Sequence, residues 1–444
     1  MAKDTSKQLC NVVIYEIYVR DHGKNGTFKD VEEDLERIRD LGADYIWFMP
    51  IHPIGKLNRK GHLGCPYSIS DYEKINPEYG TKADFKHLIE KAHQLGLKVM
   101  MDVVINHTAW DSKLIQEHLE WFHMNKDGKI SSTVPDWTDV VDLVYPNSEL
   151  EDYLIRVLKS WAKTGLDGFR CDVASLVPVD FWKKARKEIN KIKTDFVWLA
   201  ESVDIGFIES RRQAGLFAQS DGELYQAFDI TYDYDLVAVF QAAVTEKIKI
   251  KRYLEMLRLQ SAIYPENALK LRYVENHDRP RIMELASNKN AALAWTVFQS
   301  FLPGPYLIYG GQESGVTIKP DLFEANLIEW GDYSLTPWLQ KVLAFKKNKI
   351  QVDGKFFILE DEPCIQAIWQ NEKESFLGIF NVSDHSGNIE LNLQDGAYTD
   401  LITGHKVEVL NKKIRMPENA VIFKCDPMQN VSSFYSKLID FKPD

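Results

Sequence analysis

The sequence lacks the features expected of a membrane, secreted or nucleic-acid-binding protein. No stretch stays apolar for the roughly 20 residues that a membrane span needs, and Met1 to Gln8 is a polar start without an apolar leader core. Basic residues are also in deficit, with 54 Lys and Arg against 65 Asp and Glu, a formal net charge of −11. We therefore expect a cytoplasmic protein that binds neither membrane nor nucleic acid, since a phosphate-binding surface needs excess positive charge.

Cysteine is scarce as well. The five cysteines are odd in number and widely scattered, at Cys10, Cys65, Cys171, Cys364 and Cys425. Their spacing fits neither a zinc site nor a disulfide framework, so we expect free thiols in packed positions. The chain also has no internal repeat and no low-complexity tract, which excludes a repeat architecture.

What remains is the composition of a large folded protein, with 444 residues of which 45% are apolar. From about residue 12 to 345, short β-branched or aromatic runs alternate with amphipathic segments, a pattern typical of parallel βα units. The candidate strands are Val12–Val19, Asp44–Met49, Leu97–Val104, Asp167–Cys171, Phe196–Ala200, Leu224–Ile230, Leu271–Glu275 and Pro305–Tyr309. Eight strands of this kind predict an α/β fold of the (β/α)8 TIM-barrel type.

Two helices between these strands have recognisable starts. Thr27 is followed three residues later by Asp30, and Thr81 by Asp84, a spacing that lets each Thr cap free backbone N–H groups. Gly96 stands where the second helix should end, in a left-handed turn. The chain therefore has a helix between its second and third strands, as a barrel requires.

Spacing along the chain places an insertion after the third strand. Asp172 and Glu201 are 29 residues apart, which is about one βα unit, whereas Asp102 and Asp172 are 70 apart. We therefore predict a catalytic barrel over residues 10–107 and 148–349, with an inserted subdomain over 108–147 that overhangs the strand ends.

Beyond residue 350 the helical period disappears and short alternating strands follow. They are Phe356–Leu359, Ile365–Trp369, Phe376–Asn381, Ile389–Leu393 and Val421–Lys424. Close strands with turn residues between them predict a C-terminal antiparallel β-sandwich, over residues 350–426, before a tail over 427–444.

Four short segments place polar side chains at the ends of predicted barrel strands. They are Asp102–His107, Gly168–Asp172, Ala200–Ser202 and Glu275–Asp278. A single acidic residue at a strand end is usually a helix cap or a surface charge. Four such segments in order, at barrel spacing, instead indicate an active site, because a barrel keeps its chemistry at the carboxyl ends of its strands.

The carboxylates in these segments suit the cleavage of a glycosidic bond. Arg170 and Asp172 are two residues apart on one strand and share a face, so we expect the guanidinium to lower the pKa of Asp172. Glu201 has mostly apolar neighbours in sequence, which should help it keep its proton. Carboxylates on adjacent strands can reach the roughly 5–5.5 Å separation of a retaining glycosidase.

Further polar and aromatic residues fit around this pair. Asp278 would face it across the barrel mouth and stabilise positive charge on the sugar ring. His107 and His277 supply neutral donors for sugar hydroxyls. Tyr67, in a loop after the second strand, presents an aromatic face on which a sugar ring can stack.

These residues together resemble the four short sequence regions of the alpha-amylase superfamily, glycoside hydrolase family thirteen. The likeness covers about residues 10–425, and Pro305–Glu313 is similar to the family's eighth strand. The resemblance implies that Asp172 is the nucleophile, Glu201 the general acid/base and Asp278 the transition-state stabiliser. It also implies that Arg170, His107 and His277 bind around the cleaved sugar, with Tyr67 stacking on it.

The chain departs from the family at the calcium site that many secreted members have. Asn106 is present, but Leu176 stands where the family has a His ligand, and Val144 replaces a polar ligand. Because calcium needs about six to eight oxygen ligands, the loss of two predicts no structural calcium, and we expect no other metal or cofactor. The Lys-His pair that many alpha-amylases have in this stretch is absent, which argues against starch-type endo cleavage. Val173, directly after Asp172, resembles the α-1,6-active relatives.

The predicted function is a retaining α-glucoside hydrolase of alpha-amylase type. Its substrate would be an α-glucan or maltooligosaccharide with α-1,4 linkages, and α-1,6 linkages remain open. A glucan transglycosylase or phosphorolytic enzyme of the same family is the alternative, and a catalytically inactive binding subunit is a third. The sequence leaves oligomeric state and chain-length preference open.

Overall fold

Eight parallel strands form the barrel that the alternating pattern predicts. The protein is described by a computed structural model over residues 4–428. The strands are β1 Val13–Ile17, β2 Tyr45–Phe48, β3 Lys98–Val103, β4 Gly168–Cys171, β5 Val197–Ala200, β6 Ile230–Tyr232, β7 Leu269–Leu271 and β8 Tyr306–Tyr309. They pair in sequence order, β8 also pairs with β1, and backbone pairing of Arg272 with Tyr306 closes the ring.

Helices surround the barrel. The longer ones are Phe28–Leu41, Lys82–Gln94, Ser148–Ala162, Val179–Ile189, Ile205–Gln213, Val237–Val244, Ile250–Ile263, Lys289–Phe301 and Thr336–Lys346. The shorter ones are Val19–His22, Lys113–Glu117, Asp221–Leu224, Ile282–Leu285 and Ile350–Asp353. None of the helices in residues 4–428 is both long enough and apolar enough to cross a membrane.

The helix boundaries follow the predicted capping residues. Thr27 and Thr81 each form a complete capping box, in which the Thr side chain accepts from the backbone of the Asp three residues on and that Asp accepts from the Thr backbone. Gly96 has φ of +82°, the left-handed conformation expected at the end of the helix. Both helix starts and this helix end are therefore confirmed.

Two predicted strands were wrong in position. The run Leu224–Ile230 starts at the last residue of a helix and continues as turn and irregular backbone, and β6 begins only at its last residue. Its apolar side chains pack outside the barrel, as Phe228 does against Trp182 and Trp198, so their pattern reflects burial rather than extended backbone. Leu271–Glu275 is also shifted. β7 ends at its first residue, Leu271, and begins earlier, at Leu269, so that it contains the charged Lys270.

The segment after β3 leaves the barrel and returns to it. Strands His107–Ala109 and Val140–Asp142 pair antiparallel at its base, with Lys113–Glu117 between them. Trp137 from this segment lies over His107, with ring centroids 5.3 Å apart. The segment therefore covers part of the barrel mouth.

The C-terminal region is antiparallel. Its strands are β9 Lys355–Glu360, β10 Ile365–Gln370, β11 Ser375–Phe380, β12 Asn388–Glu390, β13 Gly396–Thr399, β14 Lys406–Val409, β15 Lys413–Arg415 and β16 Ala420–Cys425. A four-stranded sheet has the order β9-β10-β11-β16, while β12 pairs with β15 and β13 with β14. The strands β13 to β15 were missed because they are short and most of their residues are exposed. The predicted tail, 427–444, lies outside the described residues from 429 onward.

Candidate active site

Two acidic residues follow neighbouring strands at the same end of the barrel. Cys171 at the end of β4 is paired with Ala200 at the end of β5, so the next residues, Asp172 and Glu201, emerge side by side. The Glu201 backbone N–H donates to the Cys171 carbonyl at 2.9 Å, which continues the pairing one step further. The predicted pair is therefore brought together by strand register alone.

A single buried guanidinium links three carboxylates beneath the pocket. Arg170 is fully buried and lies 3.0 Å from an oxygen of Asp102, of Asp172 and of Glu201. The rings of Trp47, Tyr67 and Tyr232 surround it, each with its centroid 5.2 to 5.5 Å from the guanidinium carbon. This arrangement fixes the relative positions of Asp172 and Glu201.

The charge state of Asp172 corrects the sequence prediction. Burial, and after it the charge of Glu201, raises the pKa of Asp172 well above its ordinary range, and Arg170 opposes this only in part. Burial also raises the pKa of Asp102 to about 6. The single guanidinium therefore does not offset the burial of Asp172 and Asp102. Arg170 does lower the pKa of Asp172, as predicted, but burial and Glu201 outweigh it, so the net shift is upward.

The two acidic side chains differ in the partners of their outer oxygens. Asp172 Oδ2 is buried and has no hydrogen-bond donor within residues 4–428, and His107 Nε2 lies 3.9 Å away. Glu201 Oε2 accepts the backbone N–H of Val173 at 2.7 Å, for which Val173 adopts a left-handed φ of +34°. Asp172 thus keeps a free oxygen in the pocket, as a nucleophile requires.

Across the mouth, Asp278 is paired with a charged histidine. His277 Nδ1 contacts Glu16, while its Nε2 lies 2.8 Å from the Tyr67 hydroxyl and 3.3 Å from Asp278 Oδ2. Burial opposes the imidazolium, but Asp278 and Glu16 outweigh it and raise the pKa of His277 well above its ordinary value. Burial would likewise raise the pKa of Asp278, but His277 lowers it below its ordinary range. His277 is therefore a cation, and the expectation of a neutral donor was wrong.

His107 behaves as expected. Burial lowers its pKa, which keeps the ring neutral at pH 7. The Asn106 amide nitrogen lies 3.2 Å from His107 Nδ1, and this contact holds the ring with Nε2 toward Asp172. Tyr67 also occupies the pocket, with its ring stacked on His277 at 5.4 Å and its hydroxyl donating to Asp102 at 3.0 Å.

Three supporting residues were missed in the sequence. Glu16 is buried within the apolar strand β1, and an isolated acidic residue in such a strand could have indicated a functional role. Asp102 belonged to a recognised segment but was assigned no role. Tyr234 lies 3.4 Å from Asp278 through its hydroxyl, and only the position of β6, which was predicted wrongly, could have indicated it.

The residues at the family's calcium position do not fit that ion. Leu176 is buried in an apolar cluster with Val173, Val203 and Ile208, and the side chain of Val144 carries no oxygen. Calcium requires oxygen donors, which neither side chain can supply. Within the described chain, no group of three or more His, Cys, Asp or Glu side chains is arranged to hold a metal ion.

The site residues line one cavity of about 280 Å³. Its lining includes all three predicted catalytic carboxylates together with Tyr67, His107 and His277. Trp137 from the inserted segment, Lys60 from the loop after β2 and Phe323 from the loop after β8 complete its walls. The predicted site residues other than Arg170 thus line a single pocket at the carboxyl ends of the strands. Arg170, predicted to bind the sugar, is fully buried and instead holds Asp172 and Glu201.

Comparison with known proteins agrees with this architecture. The family model for the alpha amylase catalytic domain matches residues 13–140 and 133–375, and that for the bacterial alpha amylase C-terminal domain matches 357–423. Alpha-amylase 2 of Dictyoglomus thermophilum is 26% identical over 86% of this chain and 67% of its own length. Maltogenic alpha-amylase of Bacillus acidopullulyticus is 25% identical over 84% of this chain and 66% of its own, so the chain spans about two thirds of both relatives.

Solved structures match over almost the whole chain. An alpha-amylase from Lactobacillus plantarum is 41% identical, with a TM-score of 0.90 over 95% of this chain and 100% of its own. A noncanonic maltogenic alpha-amylase, AmyB, from Thermotoga neapolitana is 31% identical, with a TM-score of 0.83 over the same shares. Since both the family model and these relatives span most of its length, the chain belongs to the alpha-amylase family of glycoside hydrolases.

Proposed function

We propose that this hydrolase cleaves α-1,4-linked gluco-oligosaccharides with retention of the anomeric configuration. The observation that carries the proposal is the bridge from Arg170 to Asp172 and Glu201, which holds two carboxyl groups on adjacent strands at 3.0 Å from one guanidinium. Neighbouring parallel strands lie about 5 Å apart, which suits the short carboxyl separation of retaining enzymes.

The reaction would proceed by double displacement. Glu201 protonates the glycosidic oxygen while Asp172 Oδ2, which is free of donors among the described residues, attacks the anomeric carbon. Glu201 then removes a proton from water, which releases the sugar from Asp172. Arg170 donates to Asp172 Oδ1 at 3.0 Å, which orients the carboxyl group and leaves Oδ2 for the attack.

The charged pair across the mouth suits the transition state. Asp278 stays ionised because His277 lowers its pKa, so its carboxylate can stabilise positive charge developing on the sugar ring. The imidazolium of His277 and neutral His107 can donate to sugar hydroxyls. Tyr67 would position the ring against these groups.

Transfer to another sugar is the second candidate. An alpha-1,4-glucan:maltose-1-phosphate maltosyltransferase of Cereibacter sphaeroides is 36% identical over 202 residues, 41% of this chain. Trp137, Lys60 and Phe323 enclose the pocket, and limited access of water favours transfer. An inactive binding subunit is disfavoured, since all three catalytic carboxylates line the cavity.

One experiment tests the proposal. Incubation with maltotriose or maltoheptaose, followed by proton NMR, should show the α-anomer as the first reducing product, and an initial β-anomer would contradict retention. Asp172→Asn should abolish turnover, whereas Asp180→Asn, at a side chain 91% exposed, should leave it intact. Full activity of the Asp172→Asn variant would reject the nucleophile. Chromatography of longer products separates transfer from hydrolysis.

We also propose a cytoplasmic setting. All five cysteines are free, with Cys171 and Cys364 buried, which suits a reducing compartment. Oligosaccharides of limited length are the matching substrates for such a setting.

A further inference from the structure

Two loops meet over one side of the active-site pocket. The loop after β2 and the loop after β8 are joined by the Leu63 backbone N–H, which donates to the Phe323 carbonyl at 3.1 Å. His62 adds two contacts to Glu324 Oε1, 2.8 Å from its backbone nitrogen and 2.9 Å from its ring. We call residues 60–63 and 322–324 the loop wall.

The loop wall is built for close approach. Gly61 has φ of +65°, and a Cβ added there would lie 2.6 Å from Phe323 Cβ and 2.7 Å from its carbonyl oxygen. Only glycine allows the two loops to touch at this point.

The loop wall is also fixed at both ends. Lys60 joins it to the inserted segment, donating to the Asp136 carbonyl at 2.7 Å and lying 3.2 Å from Asp139. At its base, Arg20 donates to the Gly64 carbonyl at 3.1 Å and Asp21 accepts from the Asn326 backbone at 2.9 Å. The wall is therefore tied to both the barrel and the inserted segment.

The loop wall stands on the side of the pocket away from Glu201. In a ring of eight strands β1 lies opposite β5, and β2 and β8 flank β1. Glu201 follows β5 and, as the acid, marks the side of the leaving group. A sugar with its leaving group at Glu201 would have its other end, which carries the next residue of a longer chain at O4, toward Lys60 and Phe323.

Resting on the function proposed above, we propose that the enzyme is exo-acting and accepts only the non-reducing end of an oligosaccharide. A cavity of about 280 Å³ is slightly below the range of about 300 Å³ and upward that is usual for small-molecule sites. It has room for a terminal piece of one or two sugars, and the loop wall stops the chain there. Phe323 and Lys60 then determine specificity for chain ends.

A blocked substrate tests this directly. The enzyme is given 4-nitrophenyl α-maltoheptaoside, either free or with a 4,6-O-ethylidene group on its non-reducing end. Chromatography at the 4-nitrophenyl absorbance should show the free substrate shortened by one or two sugars at a time, and the blocked one cleaved on the order of 100-fold more slowly. Equal rates would overturn exo action and leave the proposed function standing. Cleavage of neither would overturn the proposed function itself.

Two variants test whether the loop wall causes the specificity for chain ends. Phe323→Ala removes the ring that lines the pocket, and Gly61→Ala pushes the two loops apart. Each should raise the ratio of blocked to free cleavage about tenfold or more. Leu410→Ala, at a side chain 62% exposed in the C-terminal region, should not change this ratio. A ratio unchanged in both loop variants, with native circular dichroism, would show that the loop wall does not set the specificity.

Discussion

The charge of His277 depends on two acidic neighbours, Glu16 on β1 and Asp278 in the loop after β7. Glu16 on β1 contacts its Nδ1, while Asp278 and the Tyr67 hydroxyl face its Nε2. An imidazolium donates from both nitrogens, which matches these acceptors. The positive charge of His277 is therefore a property of the assembled site. Its loss at high pH should set the alkaline limb of the pH–rate profile.

Replacing the Glu16 carboxylate should shift the alkaline limb of kcat/KM. Because His277 has a raised pKa, its favourable ion pairs are fully present below the unfolded value of about 6.5 and are lost as pH rises through the folded pKa. Glu16→Gln should lower the pKa of His277 and move the alkaline limb of kcat/KM to lower pH, by about one unit or more. A pH–rate profile on a maltooligosaccharide measures this.

A matched variant separates this effect from a general loss of buried charge. Glu313 is as buried as Glu16 but pairs with Arg37 and Tyr15 instead of His277. Glu313→Gln should leave the alkaline limb in place, whatever it does to stability. The same shift in both variants would show that His277 does not set the limb.

The positions of the site residues could be predicted from sequence, but their charges could not. The position of a residue along a strand is a local property, so Arg170, Asp172 and Glu201 could be placed by counting along β4 and β5. The pKa of Asp172 depends on burial and on Glu201, which belongs to another strand. Sequence neighbours alone showed Arg170 beside Asp172 and so suggested the opposite direction.

Among the secondary-structure elements, the helix starts are the most local features and can be tested one by one. Thr81 Oγ1 accepts from the Asp84 backbone at 3.2 Å, and the Thr81 backbone N–H donates to Asp84 Oδ2 at 2.8 Å. Thr81→Ala should lower the free energy of unfolding by about 1 kcal/mol, because it leaves backbone donors of Lys82–Gln94 without a partner.

Urea unfolding followed by circular dichroism would measure this loss. Thr81→Ser keeps the accepting oxygen and should lose only a fraction of that amount. Equal losses in the two variants would mean that the methyl group of Thr81, rather than its cap, provides the stability.

Elements whose sequence pattern reflects tertiary packing were harder to predict. Lys270 lies inside β7, where a charge argues against a buried strand, yet it is buried in contact with Asp221 and lies 3.0 Å from Asp235. Because Asp221 and Asp235 are distant in sequence, the sequence showed Lys270 as an unpaired charge, and the strand was not recognised. In the same way, the apolar run before β6 was buried by packing against Trp182 and Trp198 on the outside of the barrel.

At the scale of the whole molecule, the barrel and the C-terminal sheet share one core. The Trp369 indole on β10 donates to the Phe301 carbonyl of a barrel helix at 2.6 Å. Phe301 also packs on Phe345 and Phe380, with ring centroids 5.1 and 5.2 Å apart. Sequence pattern could separate the two regions by their period, but it could not show that they are packed as one body.

Apolar packing, rather than a metal ion, should hold the inserted segment against the barrel, where Trp137 packs on the cluster that contains Leu176. A bound ion stabilises a protein by about 2.7 kcal/mol at a hundred times its dissociation constant, and a loss of that size would lower Tm by several degrees. Because Leu176 in its apolar cluster supplies no ligand oxygen, we expect EDTA to leave Tm unchanged in a thermal scan. EDTA already saturated with calcium is the control. A drop of several degrees with free EDTA alone, reversed by added calcium, would mean that other oxygens of the chain, with Asn106 the first to examine, bind the ion.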